Sequence, residues 1–331
     1  MLVLGIDTSC DDTSLALLRD GKTLLSNVVS SQVDLHRVFG GVVPEIASRR
    51  HIELIEGLYR ETLRQGDISG SSIDAIGVTA GPGLIGSVLV GLCFAKGLAL
   101  SLGKPLIAVN HIEAHAMSIF LEKEVAFPFI ALVVSGGHTI MLLIEGFGKY
   151  RALGSTRDDA AGEAFDKIAK YLGIGYPGGK VIEDLSAKGK GDYVAFPRPM
   201  ADEKNYDFSY SGLKTAMINY IKKYGVTDYD LSDIMASFQE AAFDVLTNKT
   251  IRAARDLEIS RIVVGGGVAS NGRLRQLFAE RCREEGMEAL FSSPEFCTDN
   301  GAMVARVAYQ YYSEGTISPL NVAGYSRMKI H

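Results

Sequence analysis

The sequence predicts an α/β protein of two duplicated lobes. Three observations carry this: a strand meander that occurs twice, apolar strands that alternate with helical stretches around it, and a length of 331 residues. At about 100–200 residues per domain, that length suits two lobes, each able to bury its own core.

The first meander is three apolar runs, Leu2–Ile6, Leu15–Leu18 and Leu24–Val29, separated by Asp7-Thr-Ser-Cys-Asp-Asp12 and by Arg19-Asp-Gly21-Lys. The second is Phe129–Val134, Ile140–Ile144 and Tyr150–Leu153, with Ser135-Gly-Gly-His138 in its first turn. Between them, Pro44 opens an amphipathic helix, Ile73–Thr79 reads as a strand, and Gly81-Pro-Gly83 leads into an apolar helix from Leu84. A short strand, Leu106–Val109, follows Lys104-Pro105. After the second meander, helical patterns cover about 159–171, 212–223 and 231–257. A strand at Arg261–Val264 and a helix after Asn271 come next, then a strand at Ala289–Phe291 and a last helix. The repeat alone places the boundary near Pro128, giving lobes 1–128 and 129–331, the second with a helical insertion at about 159–256.

A net charge of −5 excludes a surface that grips polyanions everywhere, so contact with nucleic acid is expected to be local or shared with a partner. Cys10, Cys93, Cys282 and Cys297 form no Cys-x-x-Cys pair, which suggests neither a disulfide framework nor a thiolate zinc site and fits a reducing cytosol. Asp7 follows the first strand too closely for a signal peptide. The apolar stretch from Leu84 to Ala95, broken by Lys96, falls short of the roughly 18 residues of a membrane span and is expected to be a buried helix.

Histidines four apart on a helix share one face, so His111 and His115 are candidate ligands of a divalent metal, with Asp299 as a third. Two ordinary hydrogen-bonding histidines remain the alternative. Glu113 lies about 200° around the helix from His111, the wrong register for the general base of a zinc protease. The turns Asp7-Thr-Ser9 and Ser135-Gly-Gly137 occupy equivalent places in the two repeats, where backbone N–H groups can hold phosphate oxygens. Plain hairpins are the competing reading for each. Gly265-Gly-Gly267 before Asn271 resembles a glycine loop beneath a nucleotide, yet it lacks the G-x-G-x-x-G spacing. Asp158, Asp159 and Glu163 suit a helix N-terminus, whereas Asp166 lies beyond the first turn, where the helix start does not account for it, and is a candidate for another duty together with Glu183. No G-x-S-x-G elbow or catalytic-cysteine signature is present, so covalent hydrolysis is unsupported. Arginines 49, 50, 60 and 64 and lysines 214, 222 and 223 read as solvated helix faces.

Ten ordered motifs together resemble the tRNA threonylcarbamoyl transferases, the TsaD family. They include Gly5-Ile-Asp-Thr-Ser-Cys-Asp11, Gly40-Gly-Val-Val-Pro-Glu45, His111-Ile-Glu-Ala-His115, Val133-Val-Ser-Gly-Gly-His138, Asp159-Ala-Ala-Gly-Glu-Ala-Phe-Asp166, Tyr176-Pro-Gly-Gly179, Gly265-Gly-Gly-Val-Ala-Ser-Asn271 and Cys297-Thr-Asp299. The resemblance implies an actin-like ATPase (ribonuclease H-like) fold with a ligand cleft between the lobes. It implies transfer of threonylcarbamoyl from threonylcarbamoyl-AMP to N6 of the adenosine 3′ to the anticodon, forming t6A and releasing AMP.

It also implies site residues: His111, His115 and Asp299 on a metal that bridges the lobes, with Fe2+ favoured and Zn2+ or Mg2+ as alternatives; Val133, Val134, Ser135, Gly136 and Gly137 along the substrate; and Asp166, Gly179, Glu183 and Asn271 around the nucleoside. Asp7, Ser9, Gly265, Gly266 and Gly267 are then expected on the phosphate side. Asp11, and after it His138, are the candidates for removing the proton of the attacking amine. Many members carry Glu at the positions of Asp7 and Asp12, and Asp at that of Glu183, so reach there differs by one methylene. Implied partners are tRNA, a TsaB-type paralogue, a TsaE-type P-loop ATPase and a TsaC-type synthase supplying the adenylate. A small-molecule kinase of the same fold is the alternative function; a metalloprotease and a non-catalytic scaffold are the remaining rivals.

Overall fold

A computed structural model describes residues 1–330. The chain forms two compact units, Met1–Val125 together with the chain from Thr298 onward, and Ala126–Cys297.

The first unit opens with β1 (Leu2–Asp7), β2 (Asp12–Arg19) and β3 (Thr23–Ser31), followed by α1 (Val33–Arg37) and α2 (Pro44–Gln65). Next come β4 (Ala75–Gly81), α3 (Ile85–Leu102), β5 (Leu106–Asn110) and α4 (His111–Met117). The strand order is β3-β2-β1-β4-β5, with the meander antiparallel and β4 and β5 joining parallel. Every residue of β1 is buried, so it reads as a continuous apolar run rather than an alternating one. Leu4, Ile6, Leu15, Leu17, Ile76 and Val78 form one core cluster with Leu92 and Ala95 of α3.

Helix α3 departs from expectation in two ways. It continues through Lys96, whose Nζ donates to the carbonyl of Val322 (2.5 Å), and its 18 residues are long and apolar enough to cross a membrane by length and composition. Nor is it buried all round. Ser87, Val88, Gly91, Leu92, Ala95 and Ala99 pack inward, while Ile85, Leu89 and Leu100 stay exposed.

The second unit comprises β6 (Phe129–Val134), β7 (Thr139–Gly146), β8 (Lys149–Ser155), α5 (Ala161–Leu172), α6 (Gly178–Ser186), α7 (Ser211–Tyr224) and α8 (Leu231–Asp256). It continues with β9 (Arg261–Gly265), α9 (Gly272–Glu284), β10 (Glu288–Phe291) and the single-turn α10 (Pro294–Cys297). Its sheet order, β10-β9-β6-β7-β8, repeats the first: an antiparallel meander whose first strand is flanked by a parallel strand that carries another. The inserted helices supply the core. Phe165 of α5 stacks on Phe243 of α8 at 5.6 Å and meets Phe238 edge-on, each ring fully buried and worth about 2–3 kcal/mol in transfer free energy.

The C-terminal stretch corrects the expected division at residue 128. Helix α11 (Gly301–Ser313) packs on β1, β2 and β4 of the first unit, on the sheet face opposite the Leu4–Ile6 core. Glycines make this possible. A Cβ on Gly5 would lie 2.1 Å from the Gly301 carbonyl oxygen, and one on Gly77 2.4 Å from Ala308 Cβ.

Candidate metal centre and nucleotide pocket

The metal candidates assemble within the first unit. Asn110, at the end of β5, caps α4 by accepting from the N–H groups of Ile112 (2.9 Å) and Glu113 (3.3 Å). That start places His111 and His115 on one face, ring centroids 4.6 Å apart. Asn300 caps α11 through Met303 N–H (2.9 Å), so the preceding Asp299 falls where α11 packs against α4. His115 Nε2 is 3.0 Å and His111 Nε2 3.6 Å from Asp299 Oδ1, and the three residues can offer ligand atoms all within 4.8 Å of one another. Two nitrogens and one carboxylate oxygen, the histidines buried and Asp299 mostly so, fit a divalent ion with positions left open. Asp299 returns to the first unit with α11, so all three candidate ligands belong to one unit rather than coming from both. Glu113 faces elsewhere and accepts from the Tyr311 hydroxyl at 2.6 Å.

Asp7 and Ser9, expected on the phosphate side, lie beside the histidine cluster. Asp7 is fully buried, its Oδ1 3.6 Å from His111 Nδ1 and its Oδ2 accepting from Ser9 Oγ at 3.1 Å; Ser9 Oγ also reaches Asp299 Oδ2 at 3.4 Å. The end of β1 therefore places a buried carboxylate beside the histidine cluster, at ion-pair rather than hydrogen-bond distance from His111. Burial opposes charge on His111, but Asp299 and Asp7 outweigh it and raise its pKa to about 9. A cation is wanted here.

Asp11 and Asp12 occupy the turn pinned by His51 of α2, whose Nε2–H donates to the Cys10 carbonyl (3.0 Å) while Nδ1 accepts from Thr13 Oγ (2.7 Å). Burial raises the Asp11 pKa despite the opposing Cys10 hydrogen bond. Asp12, noted in the sequence as a carboxylate position of the family but given no role there, is pushed to about 7 by burial and then by the nearby carboxylates of Asp299, Asp11 and Asp7.

The remaining candidates lie in the second unit. Ser135 closes the β6–β7 turn with both its donors and acceptors: its N–H donates to the His138 carbonyl (2.8 Å) and its Oγ accepts from His138 N–H (3.1 Å). This spends one of three amides expected to face substrate. Val133 and Val134 are wholly buried sheet residues whose side chains belong to the core, so any part they take in lining a ligand would fall to their backbone. Gly136 and Gly137 stand exposed at the tip, where a Cβ would meet nothing within 4 Å. Packing gives no reason for glycine there, and a bare backbone at the tip leaves room for close approach. Gly179 and Gly267 are open in the same way. Gly265, by contrast, is a strand residue paired with Val133, and Gly266, at φ 88°, has its Cβ position 2.4 Å from the Val134 carbonyl oxygen, so both serve the fold.

Asp166 Oδ1 accepts from Gly178 N–H (2.7 Å) at the start of α6, and Glu183 of the same helix accepts from Gly272 N–H (2.7 Å). Asn271 is committed to capping α9: its Oδ1 accepts from Arg273 N–H (2.9 Å) and Leu274 N–H (3.1 Å), and its Nδ2 donates to Gln239 Oε1 (2.9 Å). Of the hydrogen-bonding groups expected to meet an adenine edge, the acceptor is used and one N–H of Nδ2 is left. A cavity of about 900 Å³ opens beside Glu183, Gln239, Gly272 and Arg273. The two proton-transfer candidates, Asp11 and His138, belong to different units.

Comparison with known proteins joins these features. The family model of TsaD, tRNA N6-adenosine threonylcarbamoyltransferase, matches residues 23–306. A protein of that name from Geobacter sulfurreducens is 52% identical over 94% of this chain and 92% of its own length. Another, from Thermosipho africanus, is 49% identical over the whole of both chains. Among solved structures, component A of the (R)-2-hydroxyglutaryl-CoA dehydratase of Acidaminococcus fermentans superposes with a TM-score of 0.56 at 18% identity, over 95% of this chain and 99% of that one. The fold is the actin-like one, built from two duplicated α/β halves. With about half its residues shared along its full length, the chain belongs to the tRNA N6-adenosine threonylcarbamoyltransferase family.

Proposed function

We propose that this chain is an acyltransferase that moves threonylcarbamoyl from threonylcarbamoyl-AMP to N6 of the adenosine 3′ to the anticodon, in tRNAs that read codons beginning with A. The observation that carries this is end-to-end identity of about one residue in two with proteins of that name. N6 attacks the carbamoyl carbon, the bond from that carbon to the phosphate oxygen breaks, AMP departs and N6 loses a proton to form t6A. His111, His115 and Asp299 would hold the metal, with the Asp7 carboxylate facing His111 Nδ1 and available to orient its ring once the metal is bound. When bound, a divalent ion supplies Lewis-acid charge for phosphate and carbonyl oxygens; two imidazoles and a carboxylate suit Fe2+ and Zn2+ alike, and the family resemblance favours Fe2+, with Mg2+ a further alternative. The amides of Gly136 and Gly137 stabilise charge on the attacked carbonyl, and Asp166 and Glu183 accept from ribose hydroxyls near Gly179. Asp11 takes the N6 proton, a role its raised pKa suits, with His138 second.

Net charge of −5 is poor for holding tRNA unaided, so partners share that work. A TsaB-type paralogue would cover the exposed Ile85, Leu89 and Leu100 of α3 and Ile52 of α2. A TsaE-type ATPase and a TsaC-type synthase complete the set, in the cytosol. The test is transfer of labelled threonylcarbamoyl from its adenylate to unmodified tRNA, with AMP measured. Stoichiometric t6A and AMP are expected; robust phosphoryl transfer from ATP to sugars or acids without tRNA, and no t6A, would mean a kinase instead.

A further inference from the structure

We infer that Gln239 and Arg273 are the base-reading end of the nucleotide pocket, Gln239 donating a hydrogen bond to a purine ring nitrogen and Arg273 stacking on the ring face. This rests on the proposed nucleotide site and assigns it two residues that carry no motif. Gln239 sits about a third of the way along α8 and is 4% exposed, yet it lines the 900 Å³ cavity. Its amide is oriented from outside. Asn271, locked as the α9 cap, donates to Gln239 Oε1 and so fixes which way the amide points, leaving the Nε2 amino group as the donor it brings to the cavity. A buried amino group facing a cavity calls for an acceptor, and each reading edge of adenine carries a ring nitrogen.

Arg273 lines the same cavity and is held flat by Glu240. Its Nε donates to Oε2 at 2.9 Å and its Nη2 to Oε1 at 2.7 Å. A guanidinium fixed on its edge by a bidentate carboxylate offers its face, the surface on which an aromatic base stacks. Glu183, on the same wall, accepts from Gly272 N–H and places a carboxylate at the ribose side of such a ligand. Donor, plane and carboxylate together match a purine nucleoside, and the cavity volume lies within the range of small-ligand pockets.

Calorimetric titration of AMP and its 1-deaza, 3-deaza and 7-deaza analogues into the full-length protein tests this. Gln239→Glu keeps the acceptor for Asn271 and removes the donor, and Arg273→Lys keeps the charge for Glu240 and removes the plane. One deaza analogue should bind the wild type about tenfold more weakly than AMP. Gln239→Glu should lose affinity for AMP by a similar factor and show no further loss with that analogue. Arg273→Lys should weaken AMP and all three analogues alike. If all three analogues bind the wild type as AMP does, the inference is overturned, even if a variant fails to fold; so is it if Gln239→Glu binds AMP normally. No AMP binding by the wild type would sink the nucleotide site itself, a different result from equal binding of every analogue.

Discussion

The β1–β2 turn and the β6–β7 turn occupy the same position in two sheets of identical strand order, and they do opposite things. The first, Asp7–Asp12, is acidic and partly to wholly buried, its side chains bound to one another and to the histidine cluster. The second, Ser135–His138, places two glycines in the open and offers backbone rather than side chains. The duplicated fold therefore fixes where chemistry is placed, at the tip of the central hairpin, while turn composition decides its kind. On the proposed function, the carboxylates of the first turn gather a cation and the bare amides of the second meet an oxyanion.

Removing a ligand should break the first turn's half of this comparison most severely. Ala at His111 or Asp299 is expected to lower bound metal and t6A formation by more than about 100-fold, read by elemental analysis and by the transfer assay. Asp7→Asn leaves the ligands and loosens only the support of His111, so metal affinity should fall about 10–100-fold with the fold intact. A variant matching wild-type affinity would return Asp7 to the phosphate side.

Glycines sharpen the other half. Gly136→Val has room for its side chain and should melt like the wild type while losing transfer. Gly266→Ala is strained at φ 88° and runs into the Val134 carbonyl, so it should cost ~2 kcal/mol of stability in chemical denaturation. Equal stabilities would mean that the two kinds of glycine are not distinct.

The smallest effect is one of pH on metal-stripped protein. His111, raised from 6.5 to about 9, contributes stability that is full below 6.5 and lost as pH rises through 9. Asp12, raised from 3.8 to about 7, acts in the same direction lower down, its contribution fading between those values. Tm should thus decline from pH 4 to 9, and metal should flatten the upper part by replacing the proton as the cation. A Tm that rises over this range would contradict the electrostatic reading of the first turn.

Much of this was legible in the sequence, because strand runs and turns are local. Leu2–Ile6 and Phe129–Val134 announce central strands, and the histidine spacing announces a shared face. What was not legible depends on long-range packing. Nothing local in the last helix says that it crosses back to β1; only Gly5 and Gly77, as footholds for α11, record it. Asn271 resembles a base-pairing residue until its place one residue before a helix commits it to the cap. Gln239 has no signal at all, being one polar residue inside a 26-residue helix.

The most direct test measures metal content and transfer in the same samples of His115→Ala and Gly137→Val. Division of labour between the turns predicts that His115→Ala loses both, whereas Gly137→Val keeps its metal and loses transfer. Full transfer by His115→Ala, or loss of metal from a folded Gly137→Val, would contradict it.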